Sequence, residues 1–141
     1  MIFITIIFCC ILGVIALQDI KRMEIEDGCH IAILLLSFVS MVFCEHPTVL
    51  SHLIGALCIS VPMLFITLLL PGAFGGGDIK LMTVGGLFLG WRVAVTSAVI
   101  SIFLGGVYSL YLLVVKHADR KTCFAFGPFL CVGMAIGKIF F

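Results

Sequence analysis

Apolar residues in this chain fall in long unbroken runs separated by short polar breaks. Six runs stand out, at 1–18, 29–44, 49–70, 79–91, 93–115 and 123–141. A helix needs about 20 apolar residues to cross the hydrocarbon of a bilayer, with about 17 as the usual minimum. The first, third, fifth and sixth runs meet or approach that length, and the second can borrow flanking residues. The fourth, Ile79 to Trp91, is only about 20 Å long as a helix. Either it continues past Arg92, whose side chain would snorkel to the interface, or it starts below the membrane surface in a protein-lined cavity. Irregular backbone at depth is tolerated only in such a cavity, and Pro71-Gly72-Ala73-Phe74-Gly75-Gly76-Gly77 is backbone of that kind. The pattern predicts an all-α membrane protein of six transmembrane helices, one domain over residues 1–141, with no soluble domain. Pro62 should kink the third helix, and Phe126-Gly127-Pro128-Phe129 reads as a turn opening the last one.

Composition points the same way. Apolar residues make up 63% of the chain and charged ones 11%, against about 25% charged in an ordinary globular domain. The formal net charge of +1 suggests no nucleic-acid partner. Lys21, Arg22, Lys80, Lys116, Arg120 and Lys121 fall in alternate breaks, while the other side has only Arg92 and Lys138. That bias makes the first, third and fifth breaks cytoplasmic, with both termini outside. It also puts Asp19 and Asp78 on one face of the membrane. Met1 to Leu17 has no positive charge before its apolar run and no small-x-small site before Asp19, so a retained helix is expected, not a cleaved signal peptide.

The seven cysteines, Cys9, Cys10, Cys29, Cys44, Cys58, Cys123 and Cys131, include no Cys-x-x-Cys pair and sit mainly in apolar runs. They read as small buried hydrophobes. His30, His46, His52 and His117 lie near segment ends and read as interfacial residues. No metal site is expected from either set.

Ionisable groups beside an apolar span are costly and point to function. Asp19 directly follows the first run, and Asp78 lies between Gly75-Gly76-Gly77 and Ile79-Lys80-Leu81-Met82. If two carboxylates meet within about 3 Å, they cannot both ionise at neutral pH. One then takes a proton from water while the other polarises a scissile carbonyl, which is general acid–base peptide hydrolysis. Glycines beside Asp78 would remove bulk and permit φ > 0, so Gly77→Ala should be severe and Gly76→Ala milder. The residues leave other readings open. The glycines can form a plain interhelical loop with Asp78 as a helix cap, and Asp19 can be a cap or an interface anchor. Paired acids near broken helices also suit a small proton- or cation-coupled transporter.

Gly75-Gly76-Gly77-Asp78-Ile79-Lys80-Leu81-Met82 resembles the G-x-G-D signature of membrane aspartic peptidases, in its type IV prepilin peptidase form. Asp19-Ile20-Lys21-Arg22-Met23-Glu24-Ile25 resembles the stretch holding that family's first aspartate. Phe126-Gly127-Pro128-Phe129 is similar to its turn before the last helix, and Gly85-Gly86-Leu87-Phe88-Leu89-Gly90-Trp91 to its fourth helix. One departure is plain: the family usually has Ile-Pro after the first aspartate, whereas Ile25 is followed here by Glu26. Altered local geometry or leader recognition is expected from it.

The resemblance implies cleavage of the short basic leader of a type IV prepilin or pseudopilin, after a glycine, at the cytoplasmic face of a bacterial inner membrane. It makes Asp19 and Asp78 the catalytic pair and Gly75 and Gly77 the motif glycines. Lys80 matches a common motif lysine that anchors a helix if it does nothing more. No metal or organic cofactor is implied. The paired Cys-x-x-Cys motifs linked to N-methylation in larger members are missing from this sequence, so only the peptidase is implied. Glu24, Glu26 and Asp27 could attract a basic leader or simply be solvated. An inactive scaffold for pilus assembly is a third reading, and oligomeric state is not legible.

Overall fold

The computed structural model describes residues 2–43, 48–115 and 124–140. Expectations resting on Cys44, Glu45, His46, Lys116, His117, Arg120, Lys121 and Cys123 lie outside the described residues. Six helices follow in order: α1 (Ile2–Arg22), α2 (Asp27–Phe43), α3 (Val49–Leu69), α4 (Gly76–Leu89), α5 (Trp91–Val114) and α6 (Gly127–Phe140). No strand occurs among the described residues. The helices match the six apolar runs in number and order. Three of them, α1, α3 and α5, are long and apolar enough to cross a membrane. The other three have 17, 14 and 14 residues.

Two boundaries differ from expectation. The α1 helix carries Asp19 inside its last turn and ends at Arg22, and the left-handed φ of 52° at Met23 then turns the chain. The Met23 amide donates to the Asp19 carbonyl at 2.8 Å. The apolar run ends before the helix does because Gln18, Lys21 and Arg22 are good helix formers in polar surroundings too. At the far end of α4, Gly90 at φ 78° separates Leu89 from Trp91, so the helix does not continue past Arg92. Its 14 residues make it about 21 Å long.

This short helix is the centre of the fold. It packs on α2, α3, α5 and α6, while α1 packs on α2 and α6. Leu81, Met82, Phe88 and Leu89 of α4 are buried with Phe8, Leu12, Ile15, Ile33, Leu130 and Met134. Phe8 stacks on Phe88 with ring centroids 4.2 Å apart. Small residues let helix backbones approach, as in lipid, where van der Waals contact replaces the hydrophobic drive between helices. A methyl group added at Gly86 would fall on the Gly55 carbonyl of α3, and one at Gly133 or Gly137 on the Ser101 or Ser97 hydroxyl of α5.

The outward faces are apolar. Ile2, Val42, Phe43, Leu68, Phe103 and Phe140 are each at least 70% exposed, far more contiguous apolar surface than a protein in water carries. Hydroxyls turn inward onto their own helices: Ser37 donates to the Ile33 carbonyl at 2.8 Å and Thr67 to that of Met63 at 2.9 Å. Pro62 lies inside α3, which runs unbroken from Val49 to Leu69. Cys131 is buried as expected of a small hydrophobe, whereas Cys10 faces outward. His30 and His52 are not interfacial. Both are buried, and each lies within hydrogen-bond distance of a carbonyl of α4, Gly77 and Leu87 respectively. Burial is tolerable there because those carbonyls accept a hydrogen bond.

Candidate active site

Asp19 and Asp78 come from different helices and meet at one end of the bundle. Asp19 lies in the last turn of α1 and is 5% exposed; Asp78 lies in the first turn of α4 and is 7% exposed. Both line a cavity of about 360 Å³ with Glu24, Asp27, Gly76 and Lys80, and a second of about 860 Å³ with Phe74, Gly105, Phe124 and Phe126. The first is polar, the second largely apolar and aromatic. The carboxylates therefore stand where a polar mouth meets an apolar groove.

Their surroundings are unequal. The Asp19 Oδ2 atom accepts the Gly127 amide at 2.9 Å. Gly127 is the first residue of α6, so this carboxylate caps that helix from 108 residues away. A carboxylate at a helix N-terminus gains from the unsatisfied amides and the helix dipole. Nothing larger than glycine fits, because a methyl group at position 127 would overlap the Asp19 carboxylate. Asp78 stands in the polar break before the fourth apolar run. Burial first, and then the charge of Asp19, push its carboxyl up from 3.8 to about 6; a bond from the Gly75 amide opposes them.

The glycines do not work through left-handed backbone. Positive φ occurs at Gly72 and Gly90, whereas Gly75 is extended and Gly76 and Gly77 begin α4. The run is a helix start, and helical φ is negative. What matters at 75 and 77 is the missing side chain. A methyl group at Gly75 would stand 3.3 Å from the Asp78 Oδ2 atom, and one at Gly77 would stand 3.3 Å from Ile25. Around Gly76 there is open space.

Lys80 is engaged by another carboxylate. Its Nζ pairs with Asp27 Oδ1 at 2.8 Å, joining α4 to the start of α2, and this pair holds the Asp27 carboxyl below its ordinary range. Glu26, which stands where proline is usual, bonds Gln18 at 3.3 Å and Arg22 at 3.5 Å. Of the acidic run, Glu24 lines the polar mouth without an ion pair among the described residues. No three potential metal-ligating side chains converge among the described residues.

Sequence reasoning missed two contributors. Gly127 was legible as a turn but not as the donor to Asp19. His30 showed no signal of its contact with Gly77, since its neighbours in the chain are apolar.

Residues 6–110, which hold both aspartates and the glycine run, match the type IV leader peptidase family. The chain belongs to that family. Among curated proteins it is similar to a prepilin leader peptidase/N-methyltransferase of Legionella pneumophila, 38% identical over 58 residues, which are 41% of this chain and 20% of that protein. A protein of the same name from Bacillus subtilis (strain 168) is 25% identical over 140 residues, 98% of this chain and 56% of that protein. The chain thus spans about half the length of the latter and less of the former. No solved structure matches it.

Proposed function

We propose that this chain is a membrane aspartic endopeptidase that cleaves the leader of type IV prepilins or pseudopilins at the cytoplasmic face of a bacterial inner membrane. The observation that carries the proposal is the convergence of Asp19 and Asp78, 59 positions apart in sequence, as buried carboxyls lining the same two cavities. In this reading the six apolar runs lie in the membrane as a single domain, with the 14-residue α4 and α6 shorter than its full thickness. Lys21, Arg22 and Lys80 near the site, with Arg92 and Lys138 on the other side of the charge bias, support a cytoplasmic mouth.

The unequal surroundings assign roles. Asp19, capped onto α6, is the ionised partner, and Asp78, desolvated and facing a negative charge, keeps the proton. Asp19 removes a proton from a water molecule, whose oxygen attacks the scissile carbonyl while Asp78 protonates the carbonyl oxygen. Collapse of the resulting gem-diol returns that proton to Asp78, and Asp19 passes its own to the leaving nitrogen. The polar mouth and the apolar groove on either side suit a substrate whose character changes at the cut. Gly75 and Gly77 keep the approach to Asp78 narrow but open.

Purified protein in detergent, incubated with a model prepilin, tests this. Mass spectrometry should find one cut between leader and mature chain, lost in Asp19→Asn and in Asp78→Asn. Intact substrate with folded wild-type protein would remove the peptidase reading and return attention to ion transport.

A further inference from the structure

His30 is a buried ionisable side chain that the proposed reaction leaves unused. It sits in the first turn of α2 and is 6% exposed. Its ring lies between two backbone carbonyls: Nδ1 is 3.2 Å from the Glu26 oxygen, and Nε2 is 3.1 Å from the Gly77 oxygen on α4. The Gly77 carbonyl belongs to the peptide unit whose N–H is that of Asp78. That N–H donates to the Gly75 carbonyl at 3.1 Å. The peptide directly before Asp78 lies in the first turn of α4, and His30 adds a contact to its carbonyl from outside that helix.

A hold is needed at this point because three successive glycines precede Asp78. They bring no side chains to limit backbone rotation, and glycine has more conformational freedom than any other residue. Gly76 and Gly77 are helical, but they open the helix, and a contact from outside it further restricts the peptide plane that carries Asp78.

We propose that His30 is a positioning residue for Asp78: its Nε2–H donates to the Gly77 carbonyl, and so fixes the Gly77–Asp78 peptide and the direction of the Asp78 carboxyl. The inference rests on the reading of Asp19 and Asp78 as the reacting pair. An Nε2–H is present both in the imidazolium and in the neutral tautomer that satisfies Gly77, so the hold does not require a particular charge on the ring. Asp27 Oδ1 lies 3.9 Å from Nδ1 but is already bonded to Lys80 of α4. The Glu26 side chain is turned to Arg22. Neither competes for the Nε2 proton.

Three variants separate positioning from filling. His30→Gln places an amide donor near the Nε2 position, His30→Asn reaches only the Nδ1 position, and His30→Leu fills the space without a donor. Two readouts apply: steady-state cleavage of a prepilin, and the infrared carboxyl band of Asp78, identified by its loss in Asp78→Asn. The Leu and Asn variants should lower kcat about tenfold or more with KM within about threefold, as a small misplacement of a reacting group does. His30→Gln should stay within about threefold of the parent in both constants. The band should shift in Leu and Asn and return in Gln, with detergent melting recorded for all three. A normal kcat in His30→Leu, an equal loss in Gln and Leu, or an unmoved band in all three would overturn the proposal. If the parent protein cleaves no prepilin, the peptidase reading fails, while the band still decides the role of His30.

Discussion

Near its end, at Gly86, α4 lies backbone to backbone on α3; at its start, Gly75 to Gly77, the same helix meets side chains and open space. A methyl group at Gly55 would stand 2.7 Å from the Gly90 carbonyl carbon and 2.8 Å from the Trp91 nitrogen, atoms that cannot rotate away. A methyl group at Gly77 would meet only the flexible Ile25 side chain, and one at Gly76 would meet nothing within 4 Å. One residue type thus serves opposite ends. In the seam it lets helix backbones touch, and beside Asp78 it leaves space around a buried carboxyl. The comparison predicts that alanine in the seam damages the fold and that changes at the mouth damage turnover.

The largest effect on turnover is expected at the carboxyls. Asp19→Asn and Asp78→Asn should each lower the cleavage rate by about 10³-fold or more, the scale of a lost general acid or base. The double variant should be no slower than either single one, because the two act as a unit. Melting in detergent should hold, since amides fill the same space. A double variant slower than both singles by the product of their losses would dissolve the pair.

The largest effect on stability is expected in the seam. Gly86→Ala should cost about 3 kcal/mol, the upper part of the usual range for overpacking, because the obstacle is a carbonyl and not a side chain. Low yield and early melting should accompany it, with the surviving folded fraction cleaving at a near-normal specific rate. A folded but inactive Gly86→Ala protein would erase the distinction between the two ends of α4.

Gly127→Ala tests whether the site borrows from packing. Its methyl group would overlap the Asp19 carboxylate, pushing it off the α6 amide. Turnover should fall about a hundredfold, as for a reacting group displaced by about 1 Å, with a smaller loss of melting temperature. Unchanged turnover would detach Asp19 from α6.

Much of this arrangement was readable along the chain. Six apolar runs became six helices because the backbone must bond to itself wherever water is absent. The two aspartates were visible because a charge beside such a run costs free energy. What could not be read were relations between distant segments. Asp19 and Gly127 are 108 residues apart, and His30 and Gly77 are 47 apart. Nothing in either local sequence states the pairing. The glycines misled for a local reason: Gly-Gly-Gly suggests left-handed backbone, but a helix N-terminus accepts glycine in ordinary helical φ as well. Left-handed backbone falls instead at Gly72, Gly90 and Met23.

The pH profile sharpens the same comparison, because among the described residues the buried carboxyls are Asp19 and Asp78, both at the mouth. With the Asp78 carboxyl raised from 3.8 to about 6, ionising it costs more in the fold than in the unfolded chain. Its contribution to stability is therefore complete below the unfolded value and lost as pH rises through the folded one. Melting temperature should fall between pH 4 and pH 6, the window those two values define, and Asp78→Asn should flatten the fall. The alkaline limb of kcat/KM should begin near pH 6, where the free enzyme loses the Asp78 proton. The limb of kcat should lie higher, since bound substrate excludes more water from the carboxyl. A melting curve that rises over that window would mean that the buried carboxyl is stabilised as the anion.

The smallest effects should come from the glycines beside Asp78, and their order is the sharpest test of what they do. Gly77→Ala forces Ile25 back by a few tenths of an ångström from a 3.3 Å contact. Ile25 is only partly buried against the core, so it can move. The cost should be a several-fold loss of turnover and a melting change within about 2 °C. Gly76 is helical, with open space where its methyl group would go. Alanine there restricts the unfolded chain without a clash, so it should stabilise by about 0.5 kcal/mol. That gain should raise melting by about 2 °C. Its methyl group would enter the polar cavity without touching Asp78, and kcat should stay within about twofold of the parent if proton transfer is undisturbed. Melting scans and initial rates on the two variants, prepared side by side, measure both quantities. Were Gly76→Ala to melt early, the run would be strained backbone after all; were Gly77→Ala to match it in rate, the missing side chain at 77 would be of no consequence for Asp78.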